Sequence, residues 1–233
     1  MNLLKKITLS TACLAALVSG SINAQAESIA DAFSTVNPNG DWTFGHFESG
    51  QTTFETFGTY QTLSVPDQNG QSHTLDVWST AGSIDPNVIY NPGASFTTNS
   101  NYGFITFNSH EVTFGPYLGP TVAQWTAPAT GTYAFGATFT PVQVANGYPT
   151  ALIYGPSGLL YSHNTGTGPT TDSGILSLTA GQTIDFVVEN DGSKTTQVDA
   201  FVHAVPEPSS CALLCLGGIA VAFKAYRKRF ASI

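Results

Sequence analysis

Clusters of Pro, Gly and Asn divide the chain between Phe33 and Val205 into short runs. This punctuation, more than any composition figure, limits what the chain can fold into. Turn signals stand at Asn37-Pro38-Asn39-Gly40, Asp67-Gln68-Asn69-Gly70, Asn91-Pro92-Gly93, Gly155-Pro156-Ser157-Gly158 and Asn190-Asp191-Gly192. The runs between them are rich in Val, Ile, Thr, Phe and Tyr, the residues that suit a pleated, half-buried strand. Tyr133, Phe135, Ala137 and Phe139 alternate with small or polar neighbours, which gives one buried face. Ile184, Phe186 and Val188 alternate in the same way. No window between these turns has a 3.6-residue apolar period. Leu152-Ile153-Tyr154 and Leu159-Leu160-Tyr161 read as a hairpin, and so do Ile184–Glu189 and Thr195–His203 across Asn-Asp-Gly. The expected fold is all-β, a jelly-roll-like β-sandwich over residues 27–204.

Charge is distributed unevenly. Six of the seven Lys and Arg residues lie at the two ends, and between Glu27 and Val205 Lys194 stands alone against fourteen acids, a formal −13. Nucleic acid is excluded as a partner, because its binding needs cations to neutralise phosphate. Acidic polysaccharides and anionic headgroups are repelled unless a divalent cation bridges them. The three cysteines, Cys13, Cys211 and Cys215, all fall in apolar terminal segments. The middle domain therefore holds together without a disulfide, although export permits one.

The first segment, residues 1–26, reads as a signal peptide. Lys5 and Lys6 form its basic start, Ile7–Val18 its apolar stretch, and Ala24-Gln25-Ala26 the small-x-small pattern that places cleavage between Ala26 and Glu27. Cys13 lies inside the apolar stretch, so no lipid-attachment cysteine follows it.

The last segment, residues 205–230, has three parts. Pro206-Glu207-Pro208 keeps the backbone extended, since each proline disfavours helix in itself and in its predecessor. An apolar run from Cys211 to Phe223 follows, then Lys224, Arg227, Lys228 and Arg229, which stop transfer and stay cytoplasmic. Counting from Ser209 to Tyr226, a helix reaches ~27 Å at 1.5 Å per residue against a hydrocarbon core of ~30 Å. Such a marginal span suits a segment that is held briefly and then cut.

Motif, span, basic cluster and terminal position together resemble the PEP-CTERM sorting signal of Gram-negative bacteria. The resemblance implies processing by exosortase after signal peptidase, membrane contact through the C-terminal helix before that step, and a place at the cell surface or in an exopolysaccharide or biofilm matrix. Three further stretches are Asn37–Gly45, Val122–Tyr133 and Leu178–Phe186. They resemble motifs of a β-sandwich domain common among PEP-CTERM proteins and similar in style to galactose-binding-like and carbohydrate-binding modules. Gln182 stands where that domain's pattern is acidic, and the Arg that such modules use on sugar hydroxyls is missing.

Catalytic patterns are not legible, and the chain reads as a non-enzyme. His110-Glu111 lacks the second His of a zinc-protease helix, because position 114 is Phe114. The domain has no G-x-S-x-G elbow, no cysteine and no phosphate loop. The histidines His46, His73, His110, His163 and His203 lack ligand spacing. Asp31, Asp41 and Asp191 are the candidate Ca²⁺ ligands, although as turn residues they need no metal. Candidate sugar-stacking rings are Trp42, Trp78, Trp125, Tyr102, Tyr117 and Tyr148. Trp42 and Trp125 stand beside strand turns and suit a core, whereas Trp78 is out of register with Leu75 and Val77, which makes it the candidate among the three to face solvent and stack on a glycan. Two functions stay open: a structural or adhesive matrix protein, and a non-catalytic carbohydrate-binding module for a neutral glycan. Glycoside hydrolysis, which needs two carboxylates suitably spaced, ranks below both.

Overall fold

The computed structural model describes residues 26–48, 53–100, 103–143, 149–166, 168–189 and 195–206. The expected signal-peptide helix and the expected C-terminal transmembrane helix lie outside these residues. Among the described residues no helix is long and apolar enough to cross a membrane. Ala26–His203 forms one unit.

Strand follows strand, as the turn signals require. The elements are β1 (Glu27–Ser28), α1 (Ile29–Ala32), β2 (Trp42–Phe47), β3 (Phe54–Thr56), β4 (Thr59–Pro66), β5 (Ser72–Ser79), β6 (Asn87–Tyr90), β7 (Phe96–Ser100) and β8 (Gly103–Phe107). After them come β9 (Val112–Gly115), β10 (Thr121–Thr126), β11 (Gly131–Pro141), β12 (Thr150–Gly155), β13 (Gly158–Asn164), β14 (Thr170–Leu178), β15 (Thr183–Glu189) and β16 (Thr196–Ala204). The short helix α1 is capped by Ser28, whose Oγ accepts from the Asp31 amide at 3.0 Å.

The strands form two principal sheets. An eight-stranded sheet runs β14-β11-β16-β9-β6-β5-β4, with β1 paired to β16, and a six-stranded sheet runs β13-β12-β15-β10-β2-β3. Their facing sides bury Trp42, Phe44, Phe114, Trp125, Phe135, Phe139, Ile153, Ile184 and Phe186 in one core. Each such side chain contributes roughly 1.5–3 kcal/mol by leaving water, which explains how the domain dispenses with disulfides. The alternation expected over Tyr133–Phe139 is present: these four are at most 5% exposed.

Two differences from the sequence-based expectation are informative. The hairpin across Gly155–Gly158 forms, with β12 paired to β13. The hairpin expected across Asn190–Gly192 does not form. β15 pairs with β10 and β12, whereas β16 belongs to the other sheet, so this connection crosses the sandwich. Apolar inner faces on both strands decide the outcome, because each strand completes a different wall of the same core.

A third layer is also present. The β7–β8 hairpin sets Phe96 and Phe107 against Leu75, Val77 and Ile89, on the side of the eight-stranded sheet away from the main core. β5 is therefore buried on both faces. On the far side of the six-stranded sheet, Phe47, Val122, Leu152 and Val187 form a smaller cluster, with Phe54 and Tyr154 packed against it.

Candidate functional site

The double burial of β5 settles the placement of Trp78. Leu75 and Val77 face the β7–β8 layer, and the next position faces the main core. Trp78 is only 6% exposed, and its Nε1 donates to the Ser34 carbonyl at 2.8 Å. It packs on Tyr60 with ring centroids 5.4 Å apart. It is a core residue, not a solvent-facing platform, because an out-of-register position on a doubly covered strand has no solvent side. Trp42 and Trp125 are also buried, and Tyr117 is exposed. Tyr102 and Tyr148 lie outside the described residues.

The other residues singled out in the sequence are placed as follows. Ala26 and Glu27 begin the described domain. Glu27 pairs with Val202, and its carboxylate accepts from Trp125 Nε1 at 3.3 Å. Pro206 stands two residues beyond β16, whereas Glu207, Pro208, Lys224, Arg227, Lys228 and Arg229 lie outside the described residues. Asp31 accepts from the Ser28 hydroxyl at 2.7 Å. Asp41 approaches Glu27, and Asp191 is outside the described residues. Among the described residues no three His, Cys, Asp or Glu side chains come together as a metal site.

Polar and aromatic groups converge where the β4–β5 turn meets β7. The turn closes because Gly70 adopts φ +81°, which suits glycine. Asp67 then folds over the turn. Its Oδ1 accepts from the amides of Asn69 and Gln71, both at 2.8 Å, and its Oδ2 lies 3.5 Å from His73 Nε2. The Gln71 amide is the main reason that the Asp67 carboxyl is held below its usual range; the Asn69 amide and His73 add to this. His73 lies flat on Phe96, with centroids 4.1 Å apart and planes 4° apart. The Gln68 amide donates to the Thr97 carbonyl at 3.1 Å, and the Thr98 hydroxyl donates to Pro66 at 2.6 Å, which ties the turn to β7. The result is an open cleft of about 480 Å³ whose lining includes Gln68, Asn69, Gln71, His73, Ser95 and Thr97. Amides, hydroxyls, one imidazole and the Asp67 carboxylate line it, groups that suit a ligand rich in hydroxyls. No Lys or Arg occurs between positions 7 and 193, so the cleft has none to neutralise an anion.

A second polar feature lies on the far side of the six-stranded sheet. Strand alternation turns Thr43, Gln124, Asp185 and Tyr154 away from the main core, and register aligns them across β2, β10, β15 and β12. Gln124 Nε2 donates to Asp185 Oδ1 at 2.9 Å. Burial pushes the Asp185 carboxyl up, against the pull of Gln124 and Thr183. Burial likewise raises Tyr154, with Glu189 and Asp185 adding to it.

Desolvation also raises Glu27, Asp41, Asp85 and Glu111. At these sites and at Asp185 the folded state binds protons more tightly than the unfolded chain. The penalty of ionising them is present above their raised values and is relieved as pH falls through them. Asp67 acts oppositely, and its contribution is lost only as pH falls below the usual Asp range. The melting temperature is therefore expected to rise as pH falls from neutral towards the ordinary carboxylate range, and to fall again below about pH 4. A thermal scan across these buffers checks the sign; a monotonic fall from neutral pH would refute it.

Comparison with known proteins identifies the tail. Residues 204–229 match the PEP-CTERM protein-sorting motif. The chain thus carries the sorting signal of an exported protein that an exosortase processes and that is destined for the cell surface or the extracellular space. No curated protein matches the chain. Solved structures similar to parts of it include a β-glucosidase from Kluyveromyces marxianus (17% identity, 43% of this chain and 11% of that one, TM-score 0.26). The matched part thus spans about a tenth of that enzyme. Others are a family 35 carbohydrate-binding module from Clostridium thermocellum (19%, 50% and 90%, TM-score 0.27) and a carbohydrate-binding module from Cellvibrio mixtus lichenase 5A in complex with cellotriose (11%, 70% and 97%, TM-score 0.24).

Proposed function

We propose that this is a non-catalytic adhesive protein of the cell surface or exopolysaccharide matrix, and that its sandwich holds a neutral glycan in the Asp67–His73–Phe96 cleft. The observation that carries this reading is the cleft itself: a flat imidazole, held by a carboxylate and backed by Phe96, among uncharged hydrogen-bonding side chains. The formal −13 of the 27–205 span supports the choice of a neutral ligand over an acidic one. The sorting tail supports the location.

The test is retention of the mature protein on neutral and acidic polysaccharide columns, each with Ca²⁺ and with EDTA. Retention on the neutral column is expected in both buffers. Retention on the acidic column is expected only with Ca²⁺, since like charges brought within a Debye length of ~8 Å are not screened. Replacing His73 with Ala is expected to weaken neutral-glycan binding about tenfold, the loss of roughly 1.4 kcal/mol. Gln71→Ala, at an exposed position, repeats the test without disturbing the stack. Wild-type protein that neither column retains would leave the purely structural reading; strong retention on the acidic column in EDTA would overturn the charge argument.

A further inference from the structure

An open sheet leaves two edge strands, whose outward N–H and C=O groups are a template for another strand. Among the described residues the larger sheet ends at β14 and β4, and the smaller at β13 and β3. Two of these edges are blunted. β3 is three residues long and carries Glu55, and β4 ends in Pro66. β14 has neither device. It runs nine residues from Thr170 to Leu178 without a proline, in unbroken register with β11. Asp172 is its one charge, and β13 has no Asp, Glu, Lys or Arg. β13 and β14 lie on the same flank, because Leu160 and Leu176 both reach the place where a Cβ on Gly155 would stand, at 3.0 and 3.4 Å. That flank also shows apolar side chains to solvent: Ile175 is 67% exposed, Leu159 54% and Leu160 40%. Ile175 stands opposite Ala134, whose methyl is too short to cover it. The next residue, Gly174, lies against the Phe135 ring, where a Cβ would come within 2.8 Å, so the edge is seated tightly on the core.

We propose that this flank takes a second copy of the chain, with β14 antiparallel to the partner's β14 about a two-fold axis at Ile175. In that register Ile175 meets the partner's Ile175, Ser173 the partner's Ser177, and Asp172 the partner's Leu178. The period of two is kept, so outward residues meet outward residues. Apolar side chains pair across the axis and hydroxyl stands beside hydroxyl, the cross-strand matches that stabilise a sheet. The two Asp172 carboxylates are then ~20 Å apart along the strands. An axis at Asp172 would set them side by side, and an axis at Gly174 would leave Ile175 against the partner's Ser173. This self-complementarity selects a second copy over an unrelated strand. A two-fold pairing uses β14 once in each molecule, so the assembly closes at two. The inference does not depend on the cleft.

The experiment is sedimentation equilibrium of the released mature protein over a concentration series, where a monomer–dimer equilibrium is expected. Ile175→Lys places two like charges at the axis. It is expected to raise the dimer dissociation constant at least about tenfold and to leave the melting temperature of the monomer unchanged, since position 175 is exposed. Cross-linking reads the register. The domain has no cysteine of its own. Directly opposed antiparallel residues have Cα atoms ~4.5–5.5 Å apart, within disulfide reach. Ile175→Cys is therefore expected to give a linked dimer when oxidised glutathione is the oxidant, and the wild type none. Ser177→Cys alone is expected to give none, but to link when mixed with Ser173→Cys. Wild-type protein that stays monomeric throughout, or a dimer that Ile175→Lys leaves intact, would overturn the proposal. So would open-ended filaments, or linkage of Ser177→Cys with itself in place of Ile175→Cys.

Discussion

A chain in which Pro206, Glu207 and Pro208 are all replaced by Ala is expected to remain in the membrane and to disappear from the released fraction. β16 ends at Ala204, and the motif begins two residues later. The prolines remove two backbone donors and favour an extended segment, the form in which a processing enzyme reads a peptide. Alanine reverses this preference, because it is the best helix former. It removes the barrier to helix in front of the apolar run that starts at Cys211. The retained form keeps Arg227, Lys228 and Arg229, so peptide mass spectrometry of membrane and released fractions distinguishes the outcomes. Released wild-type protein still containing Arg227 would show that the tail is not removed.

Replacing Trp78 with Ala is expected to destabilise the domain by about 3–5 kcal/mol, the range for removing a large aromatic from a core. The Ser34 carbonyl also loses its indole donor, a further cost of about 1 kcal/mol if the acceptor stays buried. For a domain of this size the melting temperature falls by ~2–4 °C per kcal/mol, a total on the order of 10 °C. Thermal unfolding of the mature variant measures this. Glycan retention at a temperature where the variant is still folded is expected to equal that of the wild type. Lost retention with an unchanged melting temperature would return Trp78 to the surface.

Local patterns in the chain revealed the strands and the tail. Tyr133 to Phe139 alternate without interruption, and Gly155–Gly158 closes a two-residue turn, so β11 and the β12–β13 pair are legible from neighbours alone. Pairings between distant runs are a different matter. Asn190-Asp191-Gly192 has the chemistry of a hairpin turn, but whether β15 and β16 pair depends on β9, β10, β11 and β12, the earliest of which begins at Val112, far before the start of β15 at Thr183. The place of Trp78 is hidden for a similar reason: period-two reasoning assumes one wet face, and the β7–β8 layer removes it. Half of the cleft was visible as a turn at Asp67–Gly70, with His73 nearby. The half supplied by Phe96 comes from another hairpin, and nothing local joins them. The Thr43–Gln124–Asp185–Tyr154 row exists only once register across four strands is known.

The last strand of the domain is not at an edge. β16 lies inside the eight-stranded sheet, with β11 on one flank and β9 and β1 also paired to it, and the sorting tail continues directly from its C-terminal end. Tension that acts along β16 cannot peel it from an edge. It must slide the strand past neighbours on both sides, so many hydrogen bonds bear the load together instead of opening one at a time as they would at a peeled edge. A domain held at the cell surface by this end is therefore held through an inner strand of its larger sheet, not through one that can be stripped from an edge.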